Sequence, residues 1–137
     1  MDTSSIQICE DLLACLKRFK AELIKFAEVY NLTPMQLYAL YAMQQQAATT
    51  MGQVAAVLHC DASNVTGIVD RLAAHGLVTR QEDAHDRRTK TLRLTAEGGR
   101  LVNEIAAKLP DQLGCGGLNP GERTTLHNIL TKLAATS

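Results

Sequence analysis

The feature that most constrains this chain is a helical segment followed at once by a short alternating segment with a basic centre. Residues 61–75 place apolar side chains on one side of a helix and small, polar or basic ones on the other. Residues 77–95 then read as two strands whose connecting tip holds Asp86, Arg87 and Arg88. A helix shaped to enter a groove, beside a basic hairpin that can lie along a phosphate backbone, is the layout of a winged helix-turn-helix and predicts DNA binding.

The segment before this helix completes the motif. Thr50 and Gln53 have the spacing of a capping box, which predicts the start of a short helix. A turn at residues 59–60 then leads to Asp61, a suitable N-cap for the helix that follows, and Gly76 is placed to end that helix. The inward-facing residues of the short helix are expected to be Val54, Val57 and Leu58.

The helix over residues 61–75 has two faces when its residues are placed at 100° intervals. Its apolar side holds Val65, Ile68, Val69 and Leu72. Its outer side holds Ser63, Thr66, Gly67 and Asp70, with Asn64 and Arg71 flanking them. The small size of these outer residues favours a groove, because a merely solvated face usually carries more Lys and Glu. Asp70 does not suit a basic DNA-facing surface, so we expect it to pair with a nearby Arg.

Long amphipathic helices flank the motif. The first, over residues 4–30, carries an apolar stripe from Cys9 to Tyr30 in steps of three and four, which is longer than one small domain needs to cover. The last starts at Asn119 with Pro120 and Glu122, and its apolar residues are Leu126, Ile129, Leu130 and Leu133. We therefore expect part of this apolar surface to meet another subunit.

Two more helices complete the predicted order. The second begins at the N-cap Thr33, with Pro34 at its first position and Gln36 closing a capping box. Its apolar side is expected to carry Leu37, Leu40 and Tyr41. The fifth begins at Thr95, carries Leu101, Ile105 and Leu109, and is expected to end near Pro110. The predicted fold is mainly α with a small β-hairpin wing, in the order α-α-α-α-β-β-α-α and in one domain.

Composition limits the function classes. The 137 residues contain 14 basic and 14 acidic side chains, so binding of nucleic acid by bulk charge alone is disfavoured. Between positions 84 and 93, however, Arg87, Arg88, Lys90 and Arg93 are opposed by Asp86 alone. The N-terminus has no signal pattern and no apolar run is long enough for a membrane helix, which predicts a cytoplasmic protein. The four cysteines form no CxxC pair and are expected to be free thiols.

These residues carry a family resemblance. The run TTMGQVAAVLHCDASNVTGIVDRLAAHGLVTRQEDAHDRRTKTLRLTAEGGRL resembles the core of the multiple antibiotic resistance regulator (MarR) family of transcription factors. The specific parts are Arg71-Leu72, Gly76-Leu77-Val78, Arg80, Asp86-Arg87-Arg88 and Leu94-Thr95-x-x-Gly98. The resemblance implies a homodimer in which residues 1–32 and 95–137 dimerise and residues 33–94 form the DNA-binding lobe, all within one domain of residues 1–137.

The resemblance also implies which residues meet DNA. The helix over residues 61–75 would enter a major groove, where Ser63, Asn64 and Thr66 can bond base edges or phosphates and Gly67 permits close approach. The hairpin would reach the minor groove through Arg88, braced by Asp86, while Arg87 and Lys90 touch phosphates. Thr33 is placed to offer backbone N–H groups to a phosphate. The predicted DNA-binding set is Thr33, Ser63, Asn64, Thr66, Gly67, Arg71, Arg87, Arg88 and Lys90.

Regulators of this family respond to small aromatic or phenolic compounds, or in some members to oxidants through a cysteine in the first helix. The candidate pocket residues are Tyr30, Tyr38, Tyr41 and Met43, and the candidate redox residues are Cys9 and Cys15. Tyrosine and methionine at helical spacing are more often core residues, and a buried free cysteine commonly behaves as a small hydrophobe.

Three function classes follow. The first is a dimeric regulator, expected to be a repressor released from a palindromic operator by a ligand or oxidant. The alternative is a winged-helix module that binds protein and no DNA, which the zero net charge keeps open. An enzyme is disfavoured, because no nucleophile and base set and no phosphate-binding glycine loop is present. No cofactor is expected, and no metal site, because His59, Cys60, His75 and His85 lack metal-ligand spacing.

Overall fold

The computed structural model describes residues 2–44, 49–82, 85–86 and 90–136. Its elements are α1 (Ser5–Val29), α2 (Pro34–Gln44), β1 (Thr49–Thr50), α3 (Met51–Leu58), α4 (Ala62–Ala74), β2 (Val78–Glu82), β3 (Lys90–Leu94), α5 (Ala96–Gln112), a 3-10 turn (Cys115–Gly117) and α6 (Pro120–Ala134). The predicted mainly helical fold with a small wing is confirmed.

Local capping sets the helix boundaries. In the Thr50 capping box, the Thr50 hydroxyl accepts from the Gln53 N–H at 3.1 Å, and the Gln53 side chain accepts from the Thr50 N–H at 2.8 Å. The same reciprocal pair joins Asn119 and Glu122 at the start of α6. Gly76 follows α4 with φ of +74°, a conformation that glycine adopts without strain. These boundaries were all predicted.

The wing is a three-stranded antiparallel sheet in the order β1-β3-β2. In β2 and β3, Val78 lies opposite Leu94 and Arg80 opposite Leu92, while Thr49 of β1 lies opposite Leu92 on the other side. The predicted hairpin is therefore confirmed but incomplete, because β1 was not predicted. A two-residue strand has no periodicity to detect, and it forms here because β3 offers it a free edge.

The core lies beneath the helix-turn-helix and the base of the wing. Val65, Val69 and Leu72 of α4 and Leu92 of β3 are fully buried. They pack in one cluster with residues of α2, α3 and α5, among them Leu37, Leu40, Val54, Leu58, Val102 and Ile105. The predicted apolar face of α4 is confirmed, with Ile68 partly buried at its edge. Burial of this face leaves the opposite side of α4 to solvent.

Three sequence expectations are wrong in detail. Val57 and Tyr41 are exposed, because α3 and α2 turn Leu58 and Leu40 toward the core instead. Pro110 does not end α5, which continues to Gln112. A proline so close to the end of a helix removes a single hydrogen bond, and the Leu113 N–H still reaches the Leu109 carbonyl at 3.0 Å.

The terminal helices keep most of their apolar surface outside the core. Within the described residues, α1 buries only Phe26 and Ala27, and α6 buries no side chain. Leu16 of α1 is 64% exposed and Leu130 of α6 is 48% exposed. A single chain thus leaves two long apolar helix faces in water. None of the helices in the described ranges is long and apolar enough to span a bilayer.

Candidate nucleic-acid interface

The N-terminus of α4 is fixed by Asp61. Its carboxylate accepts a hydrogen bond from the Asn64 N–H at 3.0 Å and another from the Ser63 hydroxyl at 2.8 Å. The Asn64 N–H, and after it the Ser63 hydroxyl, hold the pKa of the Asp61 carboxyl below its usual value. Asp61 therefore anchors the first turn of α4, and it also turns the Ser63 hydroxyl toward the cap.

The outer face of α4 presents the residues that the sequence assigned to DNA. Ser63, Asn64, Thr66, Gly67 and Arg71 are all exposed. A Cβ built on Gly67 would meet nothing within 4 Å, so the backbone is accessible at that point. The face is continuous, free of bulky side chains over its first two turns, and backed by an apolar side that packs on the core. Such a helix can be approached closely by another surface.

The wing sheet extends beside this face. Lys90 starts β3, is exposed and lies opposite Glu82 of β2. Asp86 is also exposed. Arg87 and Arg88, which the sequence assigned to phosphate and minor-groove contacts, lie outside the described residues.

Asp70, on the outer face of α4, forms an ion pair with Arg80 of β2. The expectation that Asp70 pairs with a nearby arginine is confirmed. The role of Arg80 was missed at the sequence level, although its place two residues after the buried Val78 puts it on the helix-facing side of the strand. Arg80 and Lys90 border a cleft of about 270 Å³ between the wing, α3 and α4, lined by Met51, Gly52, Ala55, Val65, Thr66, Arg80 and Lys90.

Thr33 is committed to its helix cap. Its hydroxyl accepts from the Gln36 N–H at 3.2 Å, and its own N–H donates to the Gln36 side chain at 3.0 Å. The predicted capping box is confirmed. The box uses the N–H groups of Thr33 and Gln36, and Pro34 has no N–H. These backbone groups are therefore not available to the phosphate contact that the sequence had predicted for Thr33.

The four candidate pocket residues do not line one common cavity. Tyr38 and Tyr41 line a cavity of about 280 Å³ between α1, α2 and α5. The other lining residues are Leu23, Pro34, Leu37, Ile105, Leu109 and Leu113. Tyr30 lies elsewhere, with its ring 5.4 Å from that of Phe26, and Met43 is a core residue with 1% exposure. The structure therefore separates the two tyrosines of the cavity from Tyr30 and Met43.

The four cysteines are free thiols, as expected. Cys9 and Cys15 are exposed on α1, in the apolar region that the chain leaves uncovered, while Cys60 and Cys115 are half-buried. Within the described ranges, no three His, Cys, Asp or Glu side chains converge in a way that could hold a metal ion.

Known proteins share this arrangement. A sequence model of the MarR family matches residues 30–89, which include the helix-turn-helix and most of the wing. The transcriptional repressor NicR of Pseudomonas putida is 31% identical over 105 residues, which make up 75% of this chain and 66% of NicR. The aligned region thus spans just under two thirds of that relative.

Solved structures extend the likeness to the terminal helices. BpsR of Bordetella bronchiseptica, whose DNA binding is regulated by 6-hydroxynicotinic acid, superposes with a TM-score of 0.79 at 28% identity and covers 100% of this chain and 99% of its own. A mutant of E. coli MarR complexed with operator DNA has a TM-score of 0.76 at 23% identity, over 93% of this chain and 94% of its own, and shares the fold. Sequence and structure agree that this chain belongs to the MarR family of winged helix-turn-helix transcriptional regulators.

Proposed function

We propose that this protein is a homodimeric, sequence-specific DNA-binding repressor that acts in the cytoplasm and leaves a palindromic operator when a small ligand binds. The observation that carries the proposal is the two-faced α4. Val65, Val69 and Leu72 on its apolar side are fully buried, while its outer side offers Ser63, Asn64 and Thr66 next to a wing strand that starts with Lys90. Small hydrogen-bonding side chains on a helix read base edges in a major groove, and neighbouring cations bond phosphates.

Two-fold symmetry sets the form of the operator. If the exposed faces of α1 and α6 join two copies, each copy presents one α4, and helix-turn-helix dimers read half-sites about 34–36 Å apart. The operator is then an imperfect palindrome of roughly 16–20 base pairs. Within each half-site, we assign Asn64 to base contacts, and Arg71 and the wing cations Arg87 and Lys90 to phosphates. Arg88, braced by Asp86, is assigned to the minor groove.

The cavity between α1, α2 and α5 supports release by a ligand. Its volume of about 280 Å³ suits a molecule of one or two rings, and its lining, which includes Tyr38 and Tyr41, is almost wholly apolar, as most small-molecule sites are. Because the cavity touches both the N-terminal helix and the helices that support the DNA-binding lobe, an occupant can change their relative position. The regulation of BpsR by 6-hydroxynicotinic acid supports the same kind of control here.

Release by an oxidant is the other route that the sequence offers, through Cys9 or Cys15. Both thiols are exposed in one chain, on the face that we assign to the dimer. Peroxide treatment of the parent and of a Cys9→Ser, Cys15→Ser variant separates the routes. Loss of DNA binding in the parent alone supports the thiols, whereas equal retention supports the ligand route.

Binding to duplex DNA tests the function directly. Selection from a random duplex library should return a palindromic motif. The logarithm of the binding constant for that motif should fall linearly with the logarithm of the salt concentration. A winged-helix module that binds protein instead would enrich no duplex sequence. A non-palindromic motif would contradict the symmetric dimer but not DNA binding itself.

A further inference from the structure

Asp70 is an acidic side chain on the surface that we assign to DNA, and its partner lies on a different element. It occupies the outer face of α4, one turn after Thr66, and its carboxylate pairs with the guanidinium of Arg80 in β2. The pair is a direct polar link between a side chain of α4 and a side chain of β2. It therefore joins the groove-facing helix to the wing.

The sheet register explains why Arg80 can reach Asp70. Val78, Arg80 and Glu82 share the face of β2 that lies opposite Leu94, Leu92 and Lys90. At the base of the wing this face is buried, since Val78 and Leu92 are core residues. Arg80 lines a cleft together with Met51, Ala55 and Val65, and its guanidinium meets Asp70 of α4 with its side chain 35% exposed.

The cleft beside the pair has two cationic side chains at its border. Most of its lining is apolar, while Arg80 and Lys90 supply positive charge and Thr66 a further polar group. A guanidinium has five N–H groups in a rigid fork, so one edge can bond Asp70 while another faces a second acceptor. A backbone phosphate at the edge of the major groove is an acceptor of the right charge in this position.

We propose that Asp70 is a positioning residue for DNA binding, which orients the Arg80 guanidinium toward a backbone phosphate at the junction of α4 and the wing. This inference rests on the proposed DNA-binding function. Asp70 touches no DNA in this arrangement. It acts through Arg80, whose flexible side chain would otherwise sample many directions over the cleft.

The sign of the Asp70 effect distinguishes positioning from simple electrostatics. A carboxylate near DNA repels phosphates, so its removal should by itself strengthen binding. If Asp70 positions Arg80, its removal weakens binding instead. A half-exposed ion pair contributes little to folding, so the variants are expected to stay folded.

The experiment compares Asp70→Ala, Asp70→Asn, Arg80→Ala and the double variant on the selected operator, over a range of salt concentrations. Glu82→Gln is the matched control, because it removes an acidic charge from the same face of β2 without breaking an ion pair shown in the described structure. Thermal unfolding of each variant monitors the fold.

We expect Asp70→Ala and Arg80→Ala each to weaken binding by about tenfold or more, with Asp70→Asn in between because an amide oxygen still accepts from Arg80. The salt slope should fall by about 1 per subunit in both alanine variants. In the Arg80→Ala background, Asp70→Ala should weaken binding no further, and binding should stay equal or recover slightly as the unpaired carboxylate is removed. Glu82→Gln should bind as well as the parent or better.

Two results would overturn the inference. Asp70→Ala that binds as tightly as Glu82→Gln would show that Asp70 merely repels DNA or is neutral. Additive losses in the double variant would show that Asp70 and Arg80 act separately. A parent that binds no duplex DNA would instead overturn the proposed function, and this inference with it.

Discussion

Gly98 shows how tightly α5 is attached to the backbone that follows α4. A Cβ at this position would overlap the carbonyl oxygen of Leu77, which already accepts from the Thr95 N–H at 3.0 Å. The Thr95 hydroxyl also donates to the Gly76 carbonyl at 2.7 Å. The backbone after α4 and the first turn of α5 are thus in direct contact, and only glycine fits between them.

We therefore expect Gly98→Ala to lower the free energy of unfolding by about 1–3 kcal/mol or more, because a backbone atom has to move. The adjacent Gly99 is a matched control. Its Cβ would meet nothing within 4 Å, so Gly99→Ala should stabilise α5 by about 0.4–1 kcal/mol. Urea unfolding of both variants measures the difference. Equal stabilities would contradict the close contact at Leu77.

The free energy of unfolding should depend on pH through the Asp61 carboxyl. Its pKa in the folded protein is below the usual value of 3.8, because the Asn64 N–H and the Ser63 hydroxyl bond the charged form. A lowered folded pKa means that the stabilisation is complete above the unfolded pKa and is lost as the pH falls through the folded pKa. Asp61→Asn keeps a neutral N-cap at every pH. The stability difference between parent and variant should shrink as the pH falls below about 4 and on through the lowered pKa of Asp61 in the folded protein. The free energy of unfolding of both proteins, measured by urea unfolding, is compared across this pH range. A difference that does not change with pH would contradict this role of Asp61.

At the scale of the element, α4 separates recognition from stability on its two faces. Asn64 is exposed, whereas Leu72 is fully buried. Asn64→Ala should relax base preference at one symmetric pair of operator positions, by about 1–3 kcal/mol if the contact is bidentate. Leu72→Ala should leave the preferred bases unchanged and lower the free energy of unfolding by about 2–5 kcal/mol. Library selection measures the base preference of both variants, and urea unfolding measures their free energy of unfolding. Unchanged preference in the Asn64 variant would remove that residue from the site.

The elements that sequence reasoning predicted are those whose signals are local. A capping box needs two residues three apart, so the starts of α2, α3 and α6 follow from Thr33, Thr50 and Asn119. The outer face of α4 likewise follows from the helical period.

The features that could not be predicted depend on distant partners. β1 exists because β3 provides an edge more than 40 positions later in the chain. The exposure of Val57 and Tyr41 depends on how α3 and α2 rotate against the core, which the helical period leaves uncertain by about one residue. For the site, the sequence indicated that Asp70 needs an arginine but not that the strand register supplies Arg80. It also grouped Tyr30 and Met43 with the two tyrosines of the cavity, from which the structure separates them.

At the scale of the whole molecule, the uncovered faces of α1 and α6 predict a homodimer. Leu12, Leu16, Ile129 and Leu133 are each at least 44% exposed in one chain. In sedimentation at low micromolar concentration, the protein should run at twice the 14.9 kDa of the single chain. Leu16→Glu combined with Leu130→Glu should shift it toward monomer by placing charge in the interface.

Val57→Glu is the control for this test, since it adds the same charge to an exposed apolar position on α3, away from both terminal helices. It should sediment as the parent does. A parent that sediments as a folded monomer would rule out the dimer, and with it the palindromic form of the operator.

The small strand β1 has a consequence for exchanging DNA preference between regulators of this kind. Cutting a chimera at the ends of the hairpin, near residues 77 and 95, would leave Thr49 and Thr50 behind to face a foreign β3. Thr50 also caps α3, so a mismatch there would disturb the helix-turn-helix as well as the wing. The transplantable cassette is therefore residues 49–94, with its junctions placed before β1 and at the N-cap of α5.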